Sequence, residues 1–526
     1  MIKFKFMKIK NSFFALAVIL STVISAQNLY GALERVTPES QGIPSEAVLD
    51  LIDKLEEQNG DVHSYMLIRN GKVVAEGHWA PFAAQLPHTL YSVSKAFVSM
   101  AIGMAIEDGL LALDDKVVKF YPEAAGENID ERLKEMRIRD LMSMKSGQQK
   151  DTFSLLRNAM PGEEAKAFFS MPMRDEPGRL FRYMSGNTAM LALIHAKVTG
   201  EKDLIAYLNP RLFNKLGIKA SYWPRLKNGT VIGGSGFQLC TEDLAKVCIL
   251  LENEGVWNGE RILPLWWIKQ ATSLQAKYGN ITDSVLALHG SKAQNVEKPD
   301  DWQVGYGWQL WMGHHDSFRL CGAFGQIGSI IPDKNLIFVS NAGGRGSNKP
   351  SLNAFYDAIL PALSQTPLKE NPTQLKRLRE RSKNLLITPP KSSARMSDEA
   401  ACAFKSVKID STNALFLTAA GYDCKTRTLT IENRFAKQSI SVGENSWERS
   451  EIVVEEENTE TLSRISGGRQ PVAAAGAWTT PNTFTVRIHF VQSPAILFIT
   501  FELRDGKVHF STKSNMSKRY SMNIQR

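Results

Sequence analysis

The residues best suited to covalent chemistry are Ser92 and Lys95, which lie three positions apart within residues 90–97, LYSVSKAF. No other serine in the sequence is followed by a lysine at this spacing. Residues 96–109 have helical periodicity, and at a helix N-terminus this spacing places the hydroxyl and the amine on one face. The helix dipole and partial burial favour a neutral amine that accepts the serine proton. The pair is a candidate activated nucleophile, although a serine N-cap followed by a lysine without a catalytic role gives the same pattern.

Other chemistry has little support in the sequence. The run His314-His315-Asp316 lacks a third ligand at useful spacing, which favours a surface turn over a metal site. The chain contains no Gly-x-Ser-x-Gly, the motif of a nucleophile elbow. The glycine-rich loop at residues 343–347 lacks the Lys-Ser/Thr ending of a phosphate-binding loop. We therefore predict no cofactor, no bound metal and no nucleotide.

The elements that must position the nucleophile form one sheet built from distant parts of the chain. Residues 64–79 read as two strands joined by Asn70-Gly71, a strong hairpin signal. Helical periodicity then dominates to about residue 251, for example over residues 133–144 and 188–200. Strands return at 326–331 and 336–340, and a last helix is predicted over 352–363. Strands at both ends with helices between them predict a sheet flanked by helices and a helical region.

A second unit is predicted beyond residue 400. Residues 366–399 are rich in Pro, Ser, Lys and Arg without long apolar periodicity, which is typical of a linker. Alternating patterns follow at residues 428–432, 483–491 and 495–503, the last running through Asp505-Gly506 into another strand, 508–511. This predicts an all-β module. Its interior would be filled by Trp447 and Trp478, or these would form a ligand-stacking pair.

The N-terminus has the three-part pattern of a secretory signal peptide. Four lysines among the first ten residues precede an apolar run, 13–24, and Ser25-Ala26 offers a cleavage point. An uncleaved anchor is the alternative. These lysines supply nearly half of the formal net charge of +9, so the charge is weak evidence for a nucleic-acid partner. A basic cluster at residues 376–383 fits a solvated helix face better than such a contact. With 43 % hydrophobic residues and no second long apolar run, we expect an exported soluble protein, periplasmic or secreted.

Three motifs in order resemble those of serine hydrolases of the β-lactamase and penicillin-binding-protein superfamily, the CubicO-like, class C β-lactamase-related group. The first is the Ser92 motif with residues 106–115, IEDGLLALDD. Residues 182–188, RYMSGNT, which lead to VTG at 198–200, are similar to the family's second motif. Residues 305–311, GYGWQLW, and 322–326, GAFGQ, resemble its third. The resemblance covers about residues 35 to 365.

The resemblance implies a role for each motif. Ser92 attacks a carbonyl carbon, Lys95 takes or shares its proton, and Tyr183 hydrogen-bonds both and passes a proton to the leaving group. The implied oxyanion hole uses the backbone N–H groups of Ser92 and Gln326, and Ser185 and Gly325 complete the substrate-binding set. For Tyr183 the alternative to a catalytic role is a core tyrosine. For the glycines of the third motif it is simple crowding between strands.

Two departures from the lactamase pattern bear on the substrate. Ser185 stands where the second motif usually has Asn, which removes one amide contact to an acyl side chain. Ala323 and Phe324 stand where the third motif usually begins with Lys or His, so neither supplies charge near a substrate carboxylate. Arg345 is a possible substitute, although a solvent-facing loop arginine is the simpler interpretation. An ester or amide without that carboxylate is therefore a better substrate than a penicillin.

The sequence thus predicts a signal peptide at 1–26, a β-lactamase-like α/β (α+β) hydrolase domain at 27–365, a linker at 366–399 and a C-terminal all-β, lipocalin-like module at 400–526. The hydrolase domain should combine an antiparallel sheet flanked by helices with a helical subdomain. The predicted function is acyl-enzyme hydrolysis of a small or peptide-like ester or amide. A β-lactamase or D-amino-acid-specific peptidase acting on cell-wall material, and a catalytically idle ligand-binding protein, are the alternatives. The oligomeric state is left open.

Overall fold

The computed structural model describes residues 32–59, 61–126, 129–220, 222–277, 301–344, 348–409, 416–455, 467–516 and 522–524. The predicted signal peptide lies outside these residues. Within them, no helix combines the length and the hydropathy needed to cross a bilayer.

The strands fall into an N-terminal and a C-terminal group. The first group comprises β1 (Val62–Arg69), β2 (Lys72–His78), β3 (His88–Thr89), β4 (Gln238–Leu239), β5 (Val256–Trp257), β6 (Glu260–Arg261), β7 (Ala276–Lys277), β8 (Gly305–Tyr306), β9 (Trp311–Met312), β10 (Phe318–Gly322), β11 (Gln326–Ile331) and β12 (Leu336–Ala342). The second comprises β13 (Val407–Lys408), β14 (Leu417–Asp423), β15 (Thr428–Asn433), β16 (Lys437–Ser441), β17 (Glu448–Val454), β18 (Gly468–Thr480), β19 (Thr483–Phe490), β20 (Ile496–Arg504), β21 (Lys507–Ser514) and β22 (Met522–Ile524).

Most of the helices lie between β1 and β12 in the chain. In order, the helices are α1 (Ser45–Asn59), α2 (Ser94–Glu107), α3 (Pro122–Ala125), α4 (Glu131–Glu135), α5 (Ile138–Met142), α6 (Phe153–Asn158), α7 (Glu164–Phe169), α8 (Ser185–Thr199), α9 (Leu204–Leu208), α10 (Asn214–Leu216), α11 (Thr241–Glu252), α12 (Leu265–Ala271), α13 (Lys349–Ile359), α14 (Pro372–Lys383) and α15 (Asp398–Ala403). Short 3-10 turns lie at Glu39–Gln41, Tyr91–Val93, Val117–Phe120, Pro332–Lys334 and Leu360–Ala362, and a π turn lies at Asn209–Phe213.

The main sheet joins both ends of the hydrolase unit. Its order is β2-β1-β12-β11-β10-β9-β8-β7, with antiparallel neighbours throughout. Side chains alternate between its two faces: Met66 and Ile68 pack into the core with α2, α8 and α11, whereas Tyr65 and Leu67 pack into the core with α1 and α13. Both faces are covered by helices, which explains why every residue of β1 is buried. The predicted sheet with flanking helices is confirmed.

The predicted hairpin is also confirmed, since Asn70 and Gly71 both adopt positive φ, 50° and 72°, as a two-residue hairpin turn requires. The single helix predicted over residues 133–144 is wrong. The chain forms α4 and α5 instead, because Met136 is extended and Arg137 makes a bridge to Lys116. Apolar periodicity reports the buried face but not such a break.

The C-terminal unit is built on two β-sheets, as predicted, one in the order β13-β14-β15-β16 and another in the order β17 to β22, and α15 at its start adds Ala400 to their core. Trp478 lies in the core between them, stacked on Phe404 at a centroid distance of 5.7 Å. Trp447 does not fill this interior. It is half-buried against the hydrolase unit, where its Nε1 donates to the Ile387 carbonyl at 2.7 Å.

The segment predicted as a linker contains α14, which buries Leu375 and Leu378. Arg381 pairs with Glu56 of α1 at 2.6 Å. The other basic residues of this helix face solvent, as predicted. The C-terminal unit also reaches the strand before the nucleophile: the Gln492 carbonyl accepts from the Thr89 N–H at 2.9 Å.

Candidate active site

Ser92 lies in the tight turn Tyr91–Val93 that joins β3 to α2. Tyr91, directly before it, has a φ of +48°, a backbone conformation that residues other than glycine rarely adopt. Ser94 fixes this turn, since its Oγ donates to the Tyr91 carbonyl at 2.5 Å and accepts from the Phe237 N–H at 3.0 Å. Ser92 itself is half-buried between buried neighbours. The turn therefore presents one hydroxyl at the surface of an otherwise buried element.

Lys95 occupies the first turn of α2 and is 1 % exposed. Its Nζ lies 2.9 Å from Ser92 Oγ, the arrangement predicted from the spacing. Nζ also donates to the Gly234 carbonyl at 2.5 Å. The amine is thus held between the serine hydroxyl and a backbone acceptor.

Tyr183 completes the group. Its ring stacks on Trp311, with centroids 5.5 Å apart, and lies 5.0 Å from Lys95 Nζ. Desolvation raises the pKa of Tyr183, and its hydrogen bond with the Ser92 side chain acts in the opposite direction. The phenol is therefore protonated at neutral pH and in contact with the serine. The structure brings Ser92, Lys95 and Tyr183 together.

Ser185 begins α8, beside this group. The Asp151 carboxylate accepts from the backbone N–H of Ser185 at 3.0 Å and of Gly186 at 2.8 Å, which caps the helix from outside. Ser185 also packs against Gly234, where an added Cβ would lie 2.9 Å from the Ser185 carbonyl. The half-buried Ser185 therefore lies next to the carbonyl that binds Lys95.

The third motif forms the β10–β11 hairpin, which packs against the nucleophile turn. A Cβ added at Gly322 would lie 2.1 Å from the Leu90 carbonyl, so only glycine permits this approach. The Gly325 N–H donates to Asn348 Oδ1 at 2.9 Å, and Gly325 has a φ of +98°. Gly325 therefore shapes the turn, and its amide is already used. Gln326 starts β11 opposite Gly322.

The third-motif residues that depart from the lactamase pattern lie at the mouth of the site. Ala323 is exposed, and Phe324, in a left-handed conformation, places its ring 5.0 Å from that of Tyr91. Neither side chain is a cation. Arg345 lies outside the described residues. His314 and His315 lie exposed in the turn between β9 and β10, as predicted.

Several residues of the site were not identified from the sequence. Gly234, Asp151 and Asn348 act through a carbonyl, a helix cap and a side-chain amide, and each lies far along the chain from its partner. The glycine pair at 233–234 was the one visible hint, because close backbone approach needs glycine.

This geometry defines a serine hydrolase, and the family comparison agrees. The chain belongs to the beta-lactamase family, whose model matches residues 51–360, more than half of the chain. It is a serine hydrolase of the β-lactamase and penicillin-binding-protein superfamily. The resemblance stated from the motifs and the predicted fold class are both confirmed.

Individual relatives are more distant. The chain is 29 % identical over 233 residues to the 6-aminohexanoate-dimer hydrolase of Paenarthrobacter ureafaciens, an alignment spanning 42 % of this chain and 59 % of that protein. A putative 6-aminohexanoate-dimer hydrolase from Bacillus anthracis has 19 % identity, covers 59 % of this chain and 80 % of its own, and has a TM-score of 0.47. The octameric penicillin-binding protein homologue from Pyrococcus abyssi has 16 % identity, covers 91 % of this chain and 99 % of its own, and has a TM-score of 0.45.

Proposed function

We propose that the protein hydrolyses small esters or amides through an acyl-enzyme formed on Ser92. The observation that carries the proposal is the buried Lys95 amine, which lies 2.9 Å from Ser92 Oγ and also donates to the Gly234 carbonyl. A neutral amine donates one N–H to Gly234 and keeps its lone pair for the serine proton. Lys95 is therefore assigned as the general base.

Acylation follows from this arrangement. Ser92 Oγ bonds to the substrate carbonyl carbon while its proton passes to Lys95 Nζ, and the carbonyl oxygen becomes an oxyanion near the backbone N–H groups of Ser92 and Gln326. The bond to the leaving group then breaks. The protonated Tyr183 phenol, hydrogen-bonded to Ser92, donates a proton to the departing oxygen or nitrogen and regains one from Lys95. Water attacks the acyl-enzyme by the reverse proton route and restores Ser92.

The substrate class rests on the mouth of the site and on the named relative. Ala323 and Phe324 provide no positive charge for a carboxylate next to the reacting carbonyl. A charge-assisted hydrogen bond contributes about 1.5 to 3 kcal/mol, so its loss lowers kcat/KM for such substrates by roughly ten- to a hundredfold. The relative from Paenarthrobacter is named for hydrolysing a 6-aminohexanoate dimer. We therefore assign linear esters and amides ahead of β-lactams.

The test is a comparison of kcat/KM for short-chain aryl esters, 6-aminohexanoate-type amides, D-amino-acid amides and a chromogenic cephalosporin on the purified protein. Ester or linear amide turnover should exceed that of the cephalosporin. The reverse order would overturn the substrate assignment and favour a β-lactamase. Absence of all turnover, together with no labelling by a fluorophosphonate probe, would favour the idle ligand-binding protein.

The proposed location is outside the cytoplasm, in the periplasm or secreted, and the pattern of residues 1–26 supports it. Fractionation of cells expressing the full chain tests this, with N-terminal sequencing of the mature protein. Cleavage near residue 26 is expected, and an unprocessed cytoplasmic product would contradict export.

A further inference from the structure

Three metal-binding side chains meet where the C-terminal unit packs on the main sheet. Asp61 directly precedes β1, His63 lies in β1 and His489 lies in β19. One ligand atom from each residue lies within 4.8 Å of the other two. Each histidine is 1 % exposed, and 17 % of the Asp61 side chain is exposed. The cluster is separate from the Ser92 group and takes no part in the proposed hydrolysis.

His489 is the residue that calls for a ligand. Both its ring nitrogens are buried and have no hydrogen-bond partner among the described parts of the chain. Its ring packs edge-on against Phe82 and Trp447, which hold it in place. A neutral imidazole carries one N–H and one nitrogen with a free lone pair. Buried polar atoms are normally satisfied, and a lone pair is satisfied by a proton donor or a metal.

The hydrogen bonds around His63 leave its other nitrogen facing the same point. His88 Nδ1 donates to the Thr89 carbonyl at 3.1 Å, which leaves Nε2 of the neutral, buried ring as an acceptor. His63 Nδ1 lies 2.9 Å from this Nε2 and therefore donates to it. A carbonyl–histidine–histidine chain of this kind is the outer support that orients a metal-binding imidazole.

His63 Nε2 lies 3.2 Å from Asp61 Oδ1. Either a proton lies between these atoms, as in an imidazolium–carboxylate pair, or both bind a metal. Ligand atoms about 2.0 to 2.1 Å from a tetrahedral zinc ion lie about 3.3 Å apart, which matches the separation of the Asp61 and His63 atoms. The His489 nitrogen, within 4.8 Å of both, closes to that distance when it binds the ion. The proton interpretation leaves both nitrogens of His489 unpartnered, whereas the metal interpretation uses one of them. Arg487, two residues before His489 in β19, is a cation beside the Asp61 carboxylate.

We propose that Asp61, His63 and His489 bind one zinc ion, with water as the fourth ligand. Two imidazoles and one carboxylate are a donor set that zinc prefers. The ion joins β1 of the hydrolase unit to β19 of the C-terminal unit. Its support, His88, lies in β3 beside Thr89, which also bonds Gln492 of the C-terminal unit. The zinc therefore fastens the C-terminal unit to the strand that leads to the nucleophile turn.

The test uses the purified full chain, loaded with zinc and desalted, with metal content measured by inductively coupled plasma mass spectrometry. We expect one zinc ion per chain, a higher Tm with zinc than after chelation, and visible d–d absorption of a tetrahedral site when Co²⁺ replaces zinc. His489→Gln and Asp61→Asn should lose the metal and the Tm difference. The matched control is His195→Gln, because His195 on α8 is likewise buried with both nitrogens unpartnered among the described residues; it should keep the zinc.

Zinc content at the level of the buffer blank in the wild-type chain would overturn the proposal, as would a His489→Gln variant that retains the metal. If the variants fail to fold, the wild-type zinc content and the Co²⁺ spectrum decide the question alone. A featureless Co²⁺ spectrum without bound metal refutes the site.

Discussion

Replacing Lys95 by methionine tests the centre of the proposed mechanism. Nζ contacts protein atoms, among them Ser92 Oγ and the Gly234 carbonyl, so the change should act on kcat and leave KM nearly unchanged. General-base catalysis contributes about 10² to 10⁴ in rate, so kcat should fall by roughly 10³, or about 4 kcal/mol in activation free energy. Lys95→Arg should not restore activity, because a guanidinium keeps its proton at working pH.

The fold should survive the Lys95→Met change. The Gly234 carbonyl loses a donor, which costs about 1 to 3 kcal/mol, but the buried amine is replaced by an apolar side chain of similar length. Release of an aryl alcohol from a short-chain ester measures kcat and KM, and thermal unfolding measures stability. Lys246→Met is the matched control, since Lys246 on α11 is 3 % exposed and lies outside the site. Activity of Lys95→Met or Lys95→Arg within about tenfold of wild type would refute the base assignment.

Three further outcomes are expected. Ser92→Ala should abolish both ester turnover and fluorophosphonate labelling while unfolding at the wild-type temperature, and residual turnover within about tenfold of wild type would exclude the nucleophile assignment. Tyr183→Phe keeps the Trp311 stack but removes the proton donor, so kcat should fall by about 10² to 10⁴, most for amides with poor leaving groups; an unchanged amide rate would exclude the role. Burial lowers the pKa of His195 to about 4, whereas the unfolded ring titrates near 6.5. The stability that depends on neutral His195 is therefore present above about pH 6.5 and is lost as pH falls toward 4, by roughly 2 to 3 kcal/mol at about pH 4.5. Urea unfolding should show a smaller acid loss in His195→Gln, and equal losses would contradict the assignment.

The sequence alone was sufficient for the parts of the site that are close in the chain. Ser92 and Lys95 are one helical turn apart, so local geometry fixes their contact once α2 begins at Ser94. The β1–β2 hairpin was predictable because Asn70 and Gly71 tolerate positive φ. The period of the apolar residues also predicted β11, β12, β15, β19, β20 and β21 and the helices α2, α8 and α13. The split of α4 from α5 was missed because a bridge to Lys116 depends on a distant segment.

Contacts between distant segments were decided by the tertiary structure alone. Gly234 binds Lys95, Asn348 ties Gly322 to Gly325, and none of these pairings leaves a periodic or compositional trace. Trp447 directly precedes β17 and packs between the two units, whereas Trp478 lies within β18 in the core of the C-terminal unit, because what an aromatic side chain is buried against depends on how whole sheets dock.

The cluster of Asp61, His63 and His489 is the clearest case. No spacing rule connects a residue before β1 with one in β19, and the sequence predicted no metal. Local propensity and periodicity depend on neighbours within a few residues, so they specify elements and short motifs. Which distant polar groups become buried together is specified only when the sheet closes between β1 and β12 and the C-terminal unit packs against it, because burial then removes water and leaves each nitrogen and oxygen to find a partner within the protein.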